Sequence, residues 1–291
     1  MFHHSRVAAL RSLMRPTALF CLAALFSASL FAAPPSDPFK GVARAYLVRS
    51  GGEDMWQLNA DQQLPPASLT KVMTALLVLD DYHPEEIVTV SKAAAAETGS
   101  RIGLRAGDRL TVGDLLAATL IRSANDACHA LADWHSGSEA AFAVKMNERA
   151  KLLGMHNTHF VNACGLDRPG HLSSAHDLAT LAETALQNPT FTRITTKGRM
   201  VIRSVDRRRT FDLHSTNHLI GKYDGVMGMK TGFTNRAGPC LIAVAERNDK
   251  QVLLVLLNSA NRWQRAPLIF DQAFARLNSA QGPELVARHE Q

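Results

Sequence analysis

The chain has 291 residues, 46% of them apolar and 20% charged, with 32 lysines and arginines against 26 acids. This balance, with no internal repeat or low-complexity tract, excludes a disordered or fibrous chain and suits one large folded domain. The leading segment holds Arg6, Arg11 and Arg15 and no acid, so without it the net charge falls from +6 to +3, and a nucleic-acid partner loses most of its support.

That segment continues into the apolar run TALFCLAALFSASLFAA, Thr17 to Ala33, and then PPSDP. A basic start, a run shorter than the ~20 residues that span a bilayer, and a small residue at Ala32 or Ala33 read as a secretory signal peptide over 1–33 rather than an anchor. Phe20 before Cys21 argues against a lipoprotein site. The expected folded part is 34–280, followed by a short polar tail, 281–291, with too little apolar surface for an amphipathic anchor. The expected place is therefore the periplasm, without a stable membrane anchor.

ARAYLVRS (43–50) and DMWQLN (54–59), split by Gly51-Gly52, read as a β-hairpin, and PPASLTKVMTALLVL (65–79) as a helix. From about 91 to 187 helical spacing dominates, in LTVGDLLAATLIRSANDACHALADW, SEAAFAVKMNERAKLLG and SSAHDLATLAETAL. Strands return in VIRSVDRRRTFDL, two short strands around Ser204 to Asp206 that read as a solvated basic hairpin, and in GVMGMKTGFT, PCLIAVAERN and QVLLVLLNS. A last helix, Trp263 to Leu277, carries Phe270, Phe274 and Leu277 on one face. The predicted fold class is α/β: one sheet built from both ends of the chain, with a helical subdomain inserted between.

In SLTK (68–71), residues i and i+3 share a helix face, so Ser68 and Lys71 place a hydroxyl and an amine within hydrogen-bond reach. Leu69, Val72, Met73, Leu76, Leu77 and Leu79 surround the helix, which leaves Lys71 poorly solvated and favours the neutral amine that can accept the serine proton. Pro65 and Pro66 set Ser68 near the helix N-terminus, where unpaired N–H groups favour developing negative charge. Alone the pattern is weak, since serine is a common N-cap and lysine can snorkel to water. It is joined in order by SAN (123–125) and KTG (230–232), the set found in serine acyl-transferring enzymes. STN (215–217) competes for the second motif, but Ser123 lies in the helical insert, where a loop residue can face the nucleophile. KTG occurs once and opens a strand, and Gly232 there permits close approach of a substrate backbone.

Cys128, Cys164 and Cys240 remain after the leader, without a CxxC, and which of them pair is open. His214 and His218 are spaced i, i+4 without further converging ligands or an HExxH-type acid, so no metal is expected.

Beyond the three motifs, PPASLTKVMTALLVLD, IRSANDAC, LLGMHNTHFVNACGLD, SSAHDLATLA and GVMGMKTGFTNRAGPCLIAVA make the chain, over roughly residues 40–262, similar to the D-alanyl-D-alanine carboxypeptidases, the low-molecular-mass penicillin-binding proteins. The resemblance implies a β-lactamase/DD-peptidase-like antiparallel sheet flanked by helices, with the helical insert at about 91–187. It implies Ser68 as nucleophile, Lys71 as its base and Ser123 as proton relay to the leaving amine. It implies that Asn125 holds the substrate amide, that Lys230 and Thr231 of the KTG motif completed by Gly232 bind the terminal carboxylate, and that the N–H groups of Ser68 and Phe233 form the oxyanion hole. Peptidoglycan stem peptides are then the substrate, β-lactams covalent inhibitors, and no cofactor is needed. Ala124 departs from the Asp of the β-lactamase form of the second motif, and the tail NSAQGPELVARHEQ is expected to hold too little apolar surface for the β-rich C-terminal domain of larger relatives. A D,D-endopeptidase acting on cross-links is the near alternative. A β-lactamase would need a deacylating carboxylate that is not visible after Ser123, a non-catalytic wall-binding protein would not need the full set of residues, and a zinc peptidase would need ligands that are not apparent.

Overall fold

In the computed structural model the described residues are 37–279; the expected signal peptide and polar tail lie outside them. Strand β1 (Ala45–Ser50) pairs with β2 (Glu53–Leu58) across the Gly51-Gly52 turn, and on its other edge with β9 (Lys250–Leu257). Next come β8 (Gly238–Arg247) and β7 (Val226–Thr234), giving a five-stranded antiparallel sheet in the order β2-β1-β9-β8-β7. Asn248 (φ 50°) and Asp249 (φ 57°) make the tight β8–β9 turn in the left-handed conformation that such hairpins require and these residue types tolerate.

Side chains of the central strands alternate strictly between two cores. Tyr46, Val48, Leu241, Ala243, Leu254 and Leu256 face α8 (Arg262–Ser279), which buries Ala266, Ile269, Phe270, Ala273 and Phe274 against them. Leu47, Ile242, Val244, Leu253 and Val255 face the larger helical layer. That layer holds α1 (Lys71–Asp80), α3 (Val112–Ile121), α4 (Asn125–Ser136), α5 (Glu139–Leu152) and α6 (Ala175–Leu186). Helix α1 lies in its middle, buried from Lys71 through Leu79, which is why its sequence is apolar on every side.

Several details differ from the expected elements. The stretch at 65–79 opens with a 3-10 turn, Ala67–Thr70, before α1 begins at Lys71, with Ala67 at φ 49°, outside the right-handed helical region. A two-stranded ribbon, β3 (Ile87–Thr89) with β4 (Arg109–Thr111), and the short helices α2 (Lys92–Ala95) and α7 (Pro189–Thr195) are too brief to show a hydrophobic period. The basic hairpin, β5 (Arg199–Arg203) and β6 (Thr210–His214), is not wholly solvated: Arg209 pairs with Asp108 and donates to the Gly103 carbonyl at 2.7 Å, and Val205 N–H reaches the Arg109 carbonyl at 2.8 Å. Among the described residues no helix is long and apolar enough to cross a membrane.

Candidate active site

The 3-10 turn holds Ser68 at the junction of the sheet and the helical layer. Thr70 Oγ1 donates to the Ala67 carbonyl at 2.8 Å and meets His171 Nε2 at 2.8 Å. His171 Nδ1 accepts from the Val161 N–H at 3.0 Å, so Nε2 carries the hydrogen and donates to Thr70; burial pushes its pKa down to about 4, which keeps the ring neutral. Two glycines allow neighbouring chain to close on the turn. At Gly165 (φ 82°) a Cβ would lie 1.9 Å from the Ala67 carbonyl oxygen, and at Gly232 it would lie 3.0 Å from Ala67 Cβ and 3.1 Å from Ser68 N. The close approach expected of a substrate at Gly232 is thus already made by the backbone of the Ser68 turn.

Lys71 Nζ lies 3.1 Å from Ser68 Oγ, 2.7 Å from Asn125 Oδ1 and 2.6 Å from the Cys164 carbonyl. The side chain is wholly buried, and desolvation pushes its pKa down to about 7, against the partly offsetting pull of Glu97, Glu139 and Asp126. Asn125 opens α4 and is oriented from its other end, where Nδ2 donates to the Thr98 carbonyl at 2.6 Å. Ser123, two residues earlier, sits in a left-handed conformation (φ 61°) unusual for serine, in the loop between α3 and α4. Lys230 Nζ donates to Ser123 Oγ and to the Thr231 carbonyl, both at 2.9 Å. Burial, with the neighbouring Lys71 and Arg262 cations, holds Lys230 well below the usual lysine range. The structure therefore brings Ser68, Lys71, Asn125, Ser123 and Lys230 into one linked pair of clusters, while Thr231, Gly232 and Phe233 continue along β7 beside them. The Phe233 side chain is 61% exposed at the rim.

Cavities open on both sides of Ser68. One of about 610 Å³ is lined by Glu97, Asn125, Gly165, Asp167, Arg168 and Thr234. The other, about 390 Å³, is lined by Ser123, Thr216, Thr231, Phe233, Arg262 and Trp263. Arg262, at the start of α8, has no acidic partner among the described residues, its Nε is buried without a hydrogen bond, and desolvation lowers its pKa. Such a guanidinium is a ready partner for a carboxylate. Thr216 Oγ1 and Thr231 Oγ1 share a hydrogen bond of 2.6 Å at the same wall. Sequence reasoning missed both Arg262 and Thr216. Thr216 belongs to STN, which competed for the second motif and turns out to line the cleft opposite Ser123; a basic residue between the last strand and the last helix was the available signal for Arg262.

The i, i+4 histidines diverge: His214 lies 3.2 Å from Asp212 in an exposed pair, whereas His218 stacks on Trp263 at 4.6 Å between ring centroids. Among the described residues, Glu97, His129 and Glu139 bring three metal-capable atoms within 4.8 Å, and the Glu97–His129 hydrogen bond of 2.6 Å already joins two of them. Cys128 and Cys164 form a disulfide with 5.9 Å between Cα atoms. Cys240 is a buried free thiol whose pKa burial pushes up to about 11.

A hydroxyl beside a desolvated amine, with a cationic pocket next to it, is equipped for acyl transfer from a substrate that ends in a carboxylate. Comparison with known proteins points the same way. The sequence pattern of the D-alanyl-D-alanine carboxypeptidases matches residues 43–261. The chain is 38% identical over 224 residues to the D-alanyl-D-alanine carboxypeptidase DacF of Bacillus subtilis, covering 75% of this chain and 57% of that one, so it spans a little under three-fifths of this relative's length. The crystal structure of the Streptomyces K15 DD-transpeptidase superposes with a TM-score of 0.76 at 29% identity, covering 84% of this chain and all of the other. Penicillin-binding protein D2 of Listeria monocytogenes, in an ampicillin-bound form, gives 0.70 at 33% identity, covering 80% and 97%. By its motifs, its sheet and these matches, the chain belongs to the D-alanyl-D-alanine carboxypeptidase family.

Proposed function

We propose that this chain is a serine D-alanyl-D-alanine carboxypeptidase that trims the terminal D-alanine from peptidoglycan stem peptides through an acyl-enzyme on Ser68. The observation that carries the reading is the fully buried Lys71 amine 3.1 Å from the Ser68 hydroxyl. Ser68 Oγ attacks the carbonyl carbon of the penultimate D-alanine while its proton passes to neutral Lys71 Nζ, and the oxyanion meets the N–H groups of Ser68 and Phe233. Collapse breaks the peptide bond, the Ser123 hydroxyl held by Lys230 gives its proton to the departing D-alanine nitrogen, and the proton on Lys71 replaces it. Lys71, neutral again, then accepts a proton from the water that attacks the ester and returns it to Ser68 Oγ as the ester bond breaks. Asn125 holds the substrate amide on the acyl side.

The terminal carboxylate goes to Arg262, with the Thr231 and Thr216 hydroxyls beside it. Lys230 serves this pocket indirectly, since its amine is committed to Ser123 and the Thr231 carbonyl. No step calls on a metal or an organic cofactor. A β-lactam ring presents an amide and a carboxylate at the same spacing, so penicillins acylate Ser68. The leader at 1–33 supports action outside the cytoplasmic membrane, in a periplasm.

Labelling with a fluorescent penicillin, compared between wild type and Ser68→Ala, tests the nucleophile, and the serine-to-alanine variant is expected to stay unlabelled. Release of D-alanine from free pentapeptide, set against cleavage of purified cross-linked muropeptides, tests the substrate. Cleavage confined to the cross-linked material would move the chain to the endopeptidase reading, and loss of activity in chelator would move it to a metallopeptidase.

A further inference from the structure

We propose that the Cys128–Cys164 disulfide is a positioning element for Lys71, binding together the two parts of the chain that orient its amine. The inference rests on the acyl-enzyme reading. A neutral amine has two hydrogens and one lone pair. Around Lys71 Nζ, Asn125 Oδ1 at 2.7 Å and the Cys164 carbonyl at 2.6 Å take the two hydrogens, which leaves the lone pair for the Ser68 hydroxyl at 3.1 Å. Asn125 is the first residue of α4, and Cys128 stands one turn later on the same helix. Cys164 supplies both the carbonyl and the second sulfur. The covalent bond thus spans directly between the carriers of the two acceptors.

Apart from the sulfur–carbonyl contacts that accompany the disulfide, Cys128 Sγ to the Ala163 carbonyl at 3.3 Å and Cys164 Sγ to the Asn125 carbonyl at 3.6 Å, the other ties on this segment run elsewhere. Asn162 Oδ1 accepts from the N–H groups of Cys164, Gly165 and Leu166 at 3.2, 2.7 and 3.0 Å, which shapes the loop internally. Thr74 Oγ1 donates to the Ala163 carbonyl at 2.6 Å from α1, and the Ala163 N–H donates to Glu139 of α5 at 3.0 Å. The disulfide is the covalent tie to α4. Because a lysine side chain turns about four bonds, a small relative shift of the two acceptors re-aims the lone pair, and displacements of this order slow acyl transfer steeply.

The test uses the full chain, with Cys128→Ala, Cys164→Ala and the double variant, each first shown to be folded by circular dichroism and assayed well below its melting temperature. Reduced wild type provides the same comparison without substitution. A trialkylphosphine and water convert the disulfide to two thiols and the phosphine to its oxide, mass spectrometry after alkylation counts the thiols, and reoxidation should restore the rate. Acylation by a fluorescent penicillin is followed against concentration and pH. The maximal acylation rate is expected to fall about tenfold. The half-saturating concentration should change less than the rate, because Arg262 and Thr231 line the neighbouring cavity and of the groups assigned to the substrate only Asn125 belongs to the cage. The midpoint of the pH profile should rise as water enters the cage. None of the charged and titratable groups facing Lys71 is substituted in any variant: Glu97 beyond α2, Asp126 of α4, Glu139 of α5, His171 and Lys230 of β7. A moved midpoint therefore reports a changed environment of Lys71, its solvation and the placement of these same charges. An unchanged maximal rate and midpoint in the double variant and in reduced protein would overturn the proposal, as would a change confined to half-saturation or melting temperature. Absence of labelling in oxidised wild type would instead bring down the acyl-enzyme reading on which it rests.

Discussion

Acylation of Ser68 should follow the titration of Lys71. Burial lowers this lysine from the ordinary 10.5 to about 7. At ~1.4 kcal/mol for each pH unit, the site favours the neutral amine by roughly 5 kcal/mol over an exposed lysine, on the order of a thousandfold in its neutral fraction near neutrality. Protonated Lys71 cannot accept the serine proton, so the acylation rate should rise about tenfold per pH unit below the midpoint, level off above about pH 8, and stand near 1% of its plateau at about pH 5. Lys71→Arg should abolish acylation even though it keeps a cation, since a guanidinium stays protonated throughout this range. Single-turnover labelling by a fluorescent penicillin, measured across pH on protein shown to be folded at each point, supplies the profile. A rate that stays flat from about pH 5 to about pH 8, a midpoint above about pH 9, or near-normal acylation by a folded arginine variant would each refute Lys71 as the base.

Arg262→Leu should lower kcat/KM for a peptide ending in a free carboxylate by about a hundredfold, the loss expected for a charge-assisted contact of ~2–3 kcal/mol, with little change for the same peptide as its C-terminal amide. Gly165→Ala should lose penicillin labelling and melting temperature together, because its Cβ would meet the Ala67 carbonyl at 1.9 Å in a left-handed backbone conformation; a variant that labels normally would show that the turn can move aside. The penicillin adduct should outlast the peptide acyl-enzyme by a wide margin. The nearby carboxylates are engaged, Asp167 with Thr234 at 2.7 Å and Glu97 with His129 at 2.6 Å, and the ring fragment does not leave to admit water. Intact-mass spectrometry over time checks this, and rapid turnover with no adduct would point to a β-lactamase.

Much of the fold and half of the site were legible in the residues themselves. The alternation in β8 and β9 and the three motifs are local patterns, set by the two-residue period of a strand and by the few side chains able to serve as nucleophile, base and relay. Apolar residues all around α1 already announced that Lys71 would be desolvated. Other features required the tertiary structure because they join residues that are distant in sequence and carry no pattern of their own. Lys230 reaches Ser123 across 107 positions. The Cys164 backbone carbonyl, an acceptor any residue could supply, completes the cage of Lys71. Arg262 gains its meaning from the lack of an acidic partner among the described residues, and Gly165 from the 1.9 Å that a side chain would have to the Ala67 carbonyl of the 3-10 turn. Periodicity and reactive side chains are written along one dimension, whereas distance, desolvation and pairing arise only when the sheet brings the two ends of the chain together around the inserted helices.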